Sequence, residues 1–348
     1  MTYPSYHPLL EVYRGNVIES LIYGAIAICD AQGRLRYHFG DPQTVTYLRS
    51  SAKPFQVLPF VERGGMEAFE LSDRELAVMC ASHSGTDEHV RVIRGIQARV
   101  GIREDELLCG VHPAMDKATE KEMQKRGEEP TPIRHNCSGK HTGMLAHAML
   151  RGYSHENYID IHHPVQQIIL QTFSELCGVP VEQIELGIDG CSAPVFAISL
   201  ERAAQTFAFL ADPSALPEPR RSSLQRIFRS MAANGDMVAG PGRFDTLLMQ
   251  TAGGKIACKA GAEGYQGIAI LPGALYPNSP ALGVTYKISD GDQGGRARPI
   301  VGMEILRQLK ALSAEQLASL AEFDARPQYN WRKVEVGRYQ PAFQLEAD

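Results

Sequence analysis

Strand-like runs at both ends of the chain, with a long helical stretch between them, restrict the fold of this 348-residue sequence more than any other feature. Apolar residues with strand character recur at 9–13, 21–29 and 35–39. Helical spacing of apolar residues then dominates the middle of the chain, as at 87–100. Because alternating strand–helix units are not the main pattern, a Rossmann fold is not expected. The order indicates an α+β fold, in which both chain ends build an antiparallel sheet around a helical insertion.

The same patterns predict the remaining elements. Further helices are predicted at 50–61, 117–126, 140–150, 165–177, 196–210, 222–233 and 300–312. Further strands are predicted at 184–188, 255–260, 267–271, 283–289 and 331–336. We expect a single domain over residues 1–348, with a helical subregion at about 85–235.

Composition and charge exclude several kinds of partner. The formal net charge is −5 and no block of Lys and Arg occurs, so the sequence has no electrostatic footprint for nucleic acid. No apolar run reaches the length of a membrane span. The first residues lack the basic start and apolar run of a signal peptide, and the seven scattered cysteines do not form a disulfide framework. We therefore expect a cytoplasmic protein without a membrane partner.

One candidate for nucleophilic chemistry is the segment Arg49-Ser50-Ser51-Ala52-Lys53-Pro54. Ser50 and Lys53 are three residues apart at a predicted helix start, so their side chains would share one face. The positive end of the helix would favour an ionised Ser50 hydroxyl. A partly desolvated Lys53 would have a lowered pKa and would serve as its base. The alternative is a helix-capping serine followed by a solvated lysine.

Two other short motifs follow in the order found in serine β-lactamases. Those enzymes carry Ser-x-x-Lys, then a Ser-x-Asn loop, then Lys-Thr-Gly on an edge strand. Here Ser82 and Ser84 occupy a loop after an apolar segment, and Lys259-Ala260-Gly261 ends a predicted strand. Ser84 replaces the asparagine, and Ala260 replaces the threonine. The shared order favours a catalytic interpretation over that of an ordinary loop with capping serines.

Two thiol-bearing turns form a further candidate site. The segments Asn136-Cys137-Ser138-Gly139-Lys140 and Asp189-Gly190-Cys191 each combine a cysteine with glycine, which permits close backbone approach. Cys137 and Lys140 are three residues apart and would point at one spot. Two thiolates and a nitrogen donor would form part of a Zn²⁺ site, for which the lysine must lose its proton. The alternative is a pair of buried thiols without a metal.

Together these segments resemble the rhizobial-type, or class 3, L-asparaginases, also called the asparaginase II family. The resemblance extends from about Arg14 to the last predicted strand. The segments that carry it are Arg49-Ser-Ser-Ala-Lys53-Pro, Cys80-Ala-Ser-His-Ser84, Cys109-Gly-Val-His112-Pro, Asn136-Cys-Ser-Gly-Lys-His-Thr-Gly-Met144, Asp189-Gly-Cys191, Met237-Val-Ala-Gly-x-Gly-Arg243 and Lys259-x-Gly-Ala262.

The resemblance implies a fold similar to that of serine β-lactamases and a homodimer. It implies hydrolysis of L-asparagine to L-aspartate and ammonia at a site with two Ser–Lys pairs. The catalytic residues implied are Ser50, Lys53, Ser82 and Lys259. A zinc ion is also implied, and it would orient the substrate carboxylate or the pocket wall. The zinc ligands implied are Cys137, Lys140 and Cys191.

Substrate contacts complete the predicted site. They are Arg49, Asp189 and His141. Asp189 corresponds to the acidic residue near the substrate α-amino group in the family that the chain resembles. Arg49 corresponds to that family's arginine beside the nucleophile.

The predicted reaction is covalent. Ser50 attacks the side-chain carboxamide while Lys53 removes its proton, and Ser82, tuned by Lys259, relays a proton to the leaving ammonia. Either Ser–Lys pair could hold the nucleophile, and Ser50 is favoured because its position at the helix start adds the helix dipole. Three alternatives remain. They are a glutaminase, whose substrate is longer by one methylene, an acyl-serine esterase or penicillin-binding enzyme, and a thiol- or zinc-dependent regulator without activity. The intact serine and lysine positions argue against the regulator.

Overall fold

The computed structural model describes residues 4–348. Its strands are β1 (His7–Arg14), β2 (Val17–Asp30), β3 (Leu35–Phe39), β4 (Val45–Tyr47), β5 (Glu185–Ile188), β6 (Pro194–Ser199), β7 (Ile256–Ala260), β8 (Tyr265–Ile270), β9 (Leu282–Ile288), β10 (Pro327–Tyr329), β11 (Glu335–Pro341) and β12 (Glu346–Ala347).

Most of the helices lie between β4 and β7 in the sequence. The helices are α1 (Lys53–Gln56), α2 (Leu58–Glu62), α3 (Gly65–Ala68), α4 (Asp73–Met79), α5 (Asp87–Val100), α6 (Lys117–Arg126), α7 (Ser138–Arg151), α8 (Pro164–Cys177), α9 (Leu200–Ala211), α10 (Arg220–Ala233), α11 (Gly235–Val238), α12 (Phe244–Thr251), α13 (Arg298–Gln308) and α14 (Ala314–Ser319). In the described part of the chain, 3₁₀ turns lie at Arg49–Ala52, Glu104–Glu106, Pro132–Arg134, Val181–Gln183 and Ala321–Phe323. None of these helices is long and apolar enough to cross a membrane.

The chain forms two compact units. The first contains the segment that ends at Leu48, together with residues 198–212 and 260–348. The second contains residues 49–197 and 213–259. The single domain with a helical subregion at about 85–235 stays a prediction.

In the first unit, antiparallel strands from both chain ends form one sheet that includes the order β10-β11-β1-β2-β9-β8. β3 pairs with β2 and with β12 beside this path. α9 packs against β2, β8 and β9. Gly283 permits this close packing, because a Cβ atom there would clash with the Ala204 carbonyl. The predicted α+β fold, with a sheet built from both chain ends, is confirmed.

Asp30 is a fully buried carboxylate at the end of β2. It accepts hydrogen bonds from the backbone N–H groups of Gln32 and Arg34 and from the side chains of Arg34 and Arg36. Burial opposes the ionisation of Asp30, but these hydrogen bonds outweigh burial and lower its pKa. The turn between β2 and β3 therefore depends on one ionised carboxylate.

Replacing Asp30 with alanine is expected to lower the free energy of unfolding by roughly 2–4 kcal/mol, because several backbone and guanidinium donors lose their acceptor. The folded-state pKa of Asp30 lies below the unfolded value. Its stabilisation is therefore present above about pH 4 and is lost as the pH falls through the folded pKa. Urea unfolding of wild type and variant at about pH 7 and pH 3 measures this. Asp41→Ala, in an exposed turn, is the control, and a difference that is unchanged at low pH would contradict the prediction.

The helix predicted at 50–61 is interrupted in the structure. A 3₁₀ turn at Arg49–Ala52 leads into α1, and α2 begins separately after Val57. Pro54 and Pro59 lie in the first turns of α1 and α2. Neither proline has an N–H group for a continuous helical ladder, so the prediction of one helix was wrong.

Other predicted elements were also wrong in their bounds. The helix predicted at 196–210 begins at Leu200, where Ser199 caps it by accepting the Arg202 N–H. The preceding residues form β6, because Val195, Phe196 and Ile198 favour a strand. The strand predicted at 331–336 instead spans Glu335–Pro341, after a turn in which Trp331 is fully exposed.

Candidate active site

All ten residues predicted for the site belong to the second unit. They come from the 3₁₀ turn before α1, the start of α1, the loop after α4, the start of α7, the loop between β5 and β6, and β7. They are Arg49, Ser50, Lys53, Ser82, Cys137, Lys140, His141, Asp189, Cys191 and Lys259.

Ser82 lies between two lysines. Its hydroxyl oxygen is 2.9 Å from the Nζ atom of Lys53 and 2.9 Å from that of Lys259. All three side chains are buried. The loop is fixed at this point because the Ser82 N–H donates to the Val238 carbonyl. Two amines on one hydroxyl are suited to remove its proton and to stabilise the oxyanion that remains.

Ser50 is not bonded to the lysine predicted as its base. It is half-buried in the 3₁₀ turn, and within residues 4–348 no hydrogen bond joins it to Lys53. The Lys53 Nζ atom instead lies 2.5 Å from the Ala81 carbonyl, 2.9 Å from the Ser82 hydroxyl and 3.2 Å from Cys137 Sγ. Three acceptors thus occupy the amine. The structure brings Lys53 together with Ser82 and Cys137 rather than with Ser50.

Burial governs the protonation of Lys259. Every residue of β7 is buried, and the Lys259 side chain is 1% exposed. Burial, assisted by the charge of Lys53, holds the pKa of Lys259 well below its usual range, although Asp245 opposes this effect. A neutral amine beside the Ser82 hydroxyl is a competent general base near neutral pH.

Arg243 also contacts the Ser82 loop, and this contact was not predicted from the sequence. Its Nη1 atom donates to the Ser82 carbonyl over 2.7 Å. Its charge also contributes to the low pKa of Lys259. Arg243 ends the segment Met237–Arg243, which contributed to the family resemblance. Local sequence spacing cannot predict its contact with Ser82, which lies 161 residues away.

Arg49 belongs to the 3₁₀ turn at Arg49–Ala52, the Ser50 turn, and forms an ion pair with Asp189. The Nε and Nη2 atoms of Arg49 lie 2.8 and 2.6 Å from Oδ1 of Asp189, which also accepts the Gly190 N–H. Burial opposes the ionisation of Asp189, but the charges of Lys140 and Arg49 outweigh it and lower the pKa. Asp189 is therefore an anion. The contacts with Arg49 and Gly190 all involve its Oδ1 atom and not its Oδ2 atom. This arrangement suits an ammonium group.

The structure brings Cys137, Lys140 and Cys191 together. Lys140 Nζ is 2.9 Å from Cys191 Sγ. The proximity of Cys191 is the largest cause that lowers the pKa of the Cys137 thiol, and the charge of Lys53 adds to it against burial. Burial opposes a charged Lys140, but the two cysteines outweigh burial and raise its pKa. These effects favour the ionised form of the Cys137 thiol and the charged form of Lys140.

Cys137, Lys140 and Cys191 form the thiol cluster. His141 is buried near Cys191 of this cluster. Its Nδ1 atom is 2.6 Å from the hydroxyl of Tyr158, which accepts the Leu108 N–H. Burial lowers the pKa of His141 to about 4, although Cys191 is near enough to oppose this. The His141 Nε2 atom has no hydrogen-bond partner in the described part of the chain. Tyr158 was not predicted, since it lies far from every recognised motif.

A model of the L-asparaginase II family matches residues 10–341 of the chain. The chain belongs to this family. It is therefore an amidohydrolase, and the site above is the active-site candidate of an L-asparaginase II family member. A comparison with curated proteins finds no match.

Solved glutaminase structures resemble this family member at low identity. The probable glutaminase from Bacillus subtilis complexed with 6-diazo-5-oxo-L-norleucine is 11% identical, with a TM-score of 0.41 and coverage of 83% of this chain and 84% of that chain. The covalent complex of the Bacillus subtilis glutaminase YbgJ with 5-oxo-L-norleucine is 12% identical, with a TM-score of 0.37 and coverage of 82% and 88%.

The thiol cluster of this family member fits part of a zinc donor set. Cys137 and Cys191 supply sulfur ligands, which zinc prefers, and Lys140 supplies nitrogen. Among residues 4–348, no group of three His, Cys, Asp or Glu residues could hold a metal ion. Two thiols and the Lys140 amine would form a partial zinc donor set only if the metal displaced the lysine proton.

Proposed function

We propose that this L-asparaginase II family member hydrolyses the side-chain amide of L-asparagine to L-aspartate and ammonia. The observation that carries the proposal is the buried Ser82 hydroxyl, 2.9 Å from two lysine Nζ atoms. A serine with an amine base suits acyl transfer. In the same unit, the anionic Asp189 offers a partner for the α-ammonium group of an amino-acid substrate.

The proposed relay runs from Ser50 through Ser82 to Lys259. Ser50 is half-buried and Ser82 is buried, so the more exposed of the two serines is proposed as the nucleophile. Lys259 accepts the Ser82 proton while Ser82 accepts the Ser50 proton, and Ser50 Oγ bonds to the carboxamide carbon. Lys53 donates to the Ser82 oxygen and stabilises negative charge there. It thus acts through Ser82 rather than directly on Ser50.

Two further steps complete the cycle. As the tetrahedral adduct collapses, the carbon–nitrogen bond breaks and the relay returns its proton to the leaving ammonia. Water then attacks the Ser50 ester, gives its proton to the same relay and releases L-aspartate. The proton returns to Ser50, so the enzyme ends as it began.

Zinc and assembly are separate parts of the proposal. Zinc would be held by Cys137, Lys140 and Cys191. Bound there, it would supply a fixed positive charge that orients the substrate or the pocket wall. The residues that move protons in the proposed reaction are Ser50, Ser82 and Lys259, so no step passes through the metal. We also propose a homodimer in the cytoplasm, which rests on the family resemblance and on the sequence.

Ammonia release from L-asparagine and from L-glutamine tests the substrate. We expect kcat/KM for asparagine to exceed that for glutamine by about 10- to 200-fold, because one methylene in a pocket discriminates by roughly that factor. p-Nitrophenyl acetate serves as the comparison ester. Faster release from glutamine would select the glutaminase alternative. Ester cleavage without ammonia from either amide would select the esterase and refute the proposal.

A further inference from the structure

Ser51 differs sharply in environment from Ser50. Its side chain is 0% exposed, and its hydroxyl donates a 2.7 Å hydrogen bond to the backbone carbonyl of Lys259. Ser50, the adjacent residue, is half-buried. A hydroxyl that is shielded from solvent and committed to a carbonyl is poorly placed to attack a substrate. The contact instead ties together two segments 208 residues apart.

The two segments joined by Ser51 both carry residues of the proposed relay. The 3₁₀ turn at Arg49–Ala52 carries Ser50, and β7 carries Lys259. The turn also carries the Arg49–Asp189 ion pair. Arg49 has a φ of +50°, a left-handed conformation that is costly for a residue with a Cβ atom. A turn in this conformation needs external contacts to keep its geometry.

We propose that Ser51 is a positioning residue that aligns the Ser50 turn with the Lys259 strand. The inference rests on the proposed Ser–Lys hydrolysis and extends it. The relay works only over hydrogen-bond distances, and a displacement of about 1 Å at reacting groups costs roughly 100-fold in rate. The Ser51 hydrogen bond fixes the backbone position of Lys259, from which its side chain reaches Ser82.

The same hydrogen bond has a consequence for pH dependence. Burial is the largest cause of the low pKa of Lys259, and the charges of Lys53 and Arg243 also lower it. Asp245 and Cys137 oppose the shift. If β7 were held less firmly, water would reach the Lys259 amine. The pKa of Lys259 would then rise towards its usual value. The neutral base would then be present only at higher pH, so the acidic limb of kcat/KM would move upwards.

The experiment compares wild type with Ser51→Ala, Ser51→Thr and Ser230→Ala. Ser230 is an equally buried serine in α10 of the same unit, and its hydroxyl has no partner among the described residues. We expect Ser51→Ala to lower kcat by about 10- to 100-fold with little change in KM, and to shift the acidic limb to higher pH. Ser51→Thr, which keeps the donor, restores most of kcat. Ser230→Ala behaves as wild type.

Acylation by p-nitrophenyl acetate separates this inference from the choice of substrate. If wild type releases no ammonia but Ser51→Ala still slows acylation, the asparagine proposal fails and the alignment role stands. Wild-type kinetics in a folded Ser51→Ala variant, or equal losses in Ser51→Ala and Ser230→Ala, would overturn the role. If Ser51→Ala does not fold, Ser51→Cys replaces it. This weak donor is expected to give an intermediate loss of kcat, and unchanged kinetics would overturn the role. A wild type that reacts with neither amide nor ester overturns both proposals.

Discussion

Replacing Lys259 with methionine is expected to lower kcat for ammonia release at least about 1,000-fold while the protein stays folded. Lys259 Nζ lies 2.9 Å from the Ser82 hydroxyl, and burial keeps the amine neutral enough to accept a proton. Methionine has similar length and no base. Because it is apolar, burying it in β7 costs little or no stability. Single-turnover ammonia assays and thermal unfolding measure the two effects.

Lys255→Met is the matched control for this prediction. Lys255 immediately precedes β7 and is exposed, so losing its charge should leave kcat unchanged. If Lys259→Met retained more than about a tenth of wild-type activity, Lys259 would not be the base. Equal losses in both variants would instead point to an effect of charge on the whole strand.

Replacing Lys53 with methionine is expected to lower kcat by about 100- to 1,000-fold and to move the remaining pH profile upwards. Lys53 bonds to the Ser82 hydroxyl, and its charge is one cause of the low pKa of Lys259. Without that charge, the pKa of Lys259 rises towards its usual value. Lys259 must be neutral to accept a proton, so the acidic limb of kcat/KM moves to higher pH.

The pH profile of kcat/KM from about pH 5 to 10 measures this shift. Lys53→Arg is the control, since it retains the positive charge but changes the geometry of its hydrogen bonds. We expect low activity in Lys53→Arg without the upward shift. An acidic limb at the same pH in Lys53→Met and wild type would show that Lys53 does not act through Lys259.

Local patterns predicted the fold well where a helix has its own start and stop signals. The helices predicted at 87–100 and 117–126 coincide with α5 and α6, which begin after the capping residues Thr86 and Asp116 and end before glycines. The break between α1 and α2 was not predicted. Proline is tolerated in the first turn of a helix, so its presence alone does not show where one helix ends and the next begins. Strand β6 was merged into α9 because its apolar residues continue the helical pattern.

The contacts among the proposed site residues were not predicted from the sequence, and their roles stay predictions. Sequence spacing joined Ser50 to Lys53 because three residues separate them. The Lys53 amine instead meets Ala81, Ser82 and Cys137, which lie 28, 29 and 84 residues away. Such long-range contacts depend on the packing of α4 and α7 and cannot be read from local spacing. The contact of Arg243 with the Ser82 carbonyl escaped prediction for the same reason.

Ammonia release from L-asparagine by wild type, Ser82→Ala and Ser84→Ala tests whether the Ser82 hydroxyl between the two lysines is required for amide hydrolysis. Ser84 lies in the same loop, but its hydroxyl donates to the Ala239 carbonyl rather than contacting a lysine. We expect release by wild type, a loss of at least about 1,000-fold in Ser82→Ala, and nearly full activity in Ser84→Ala. Release that persists in Ser82→Ala, or its absence in wild type, would contradict the account.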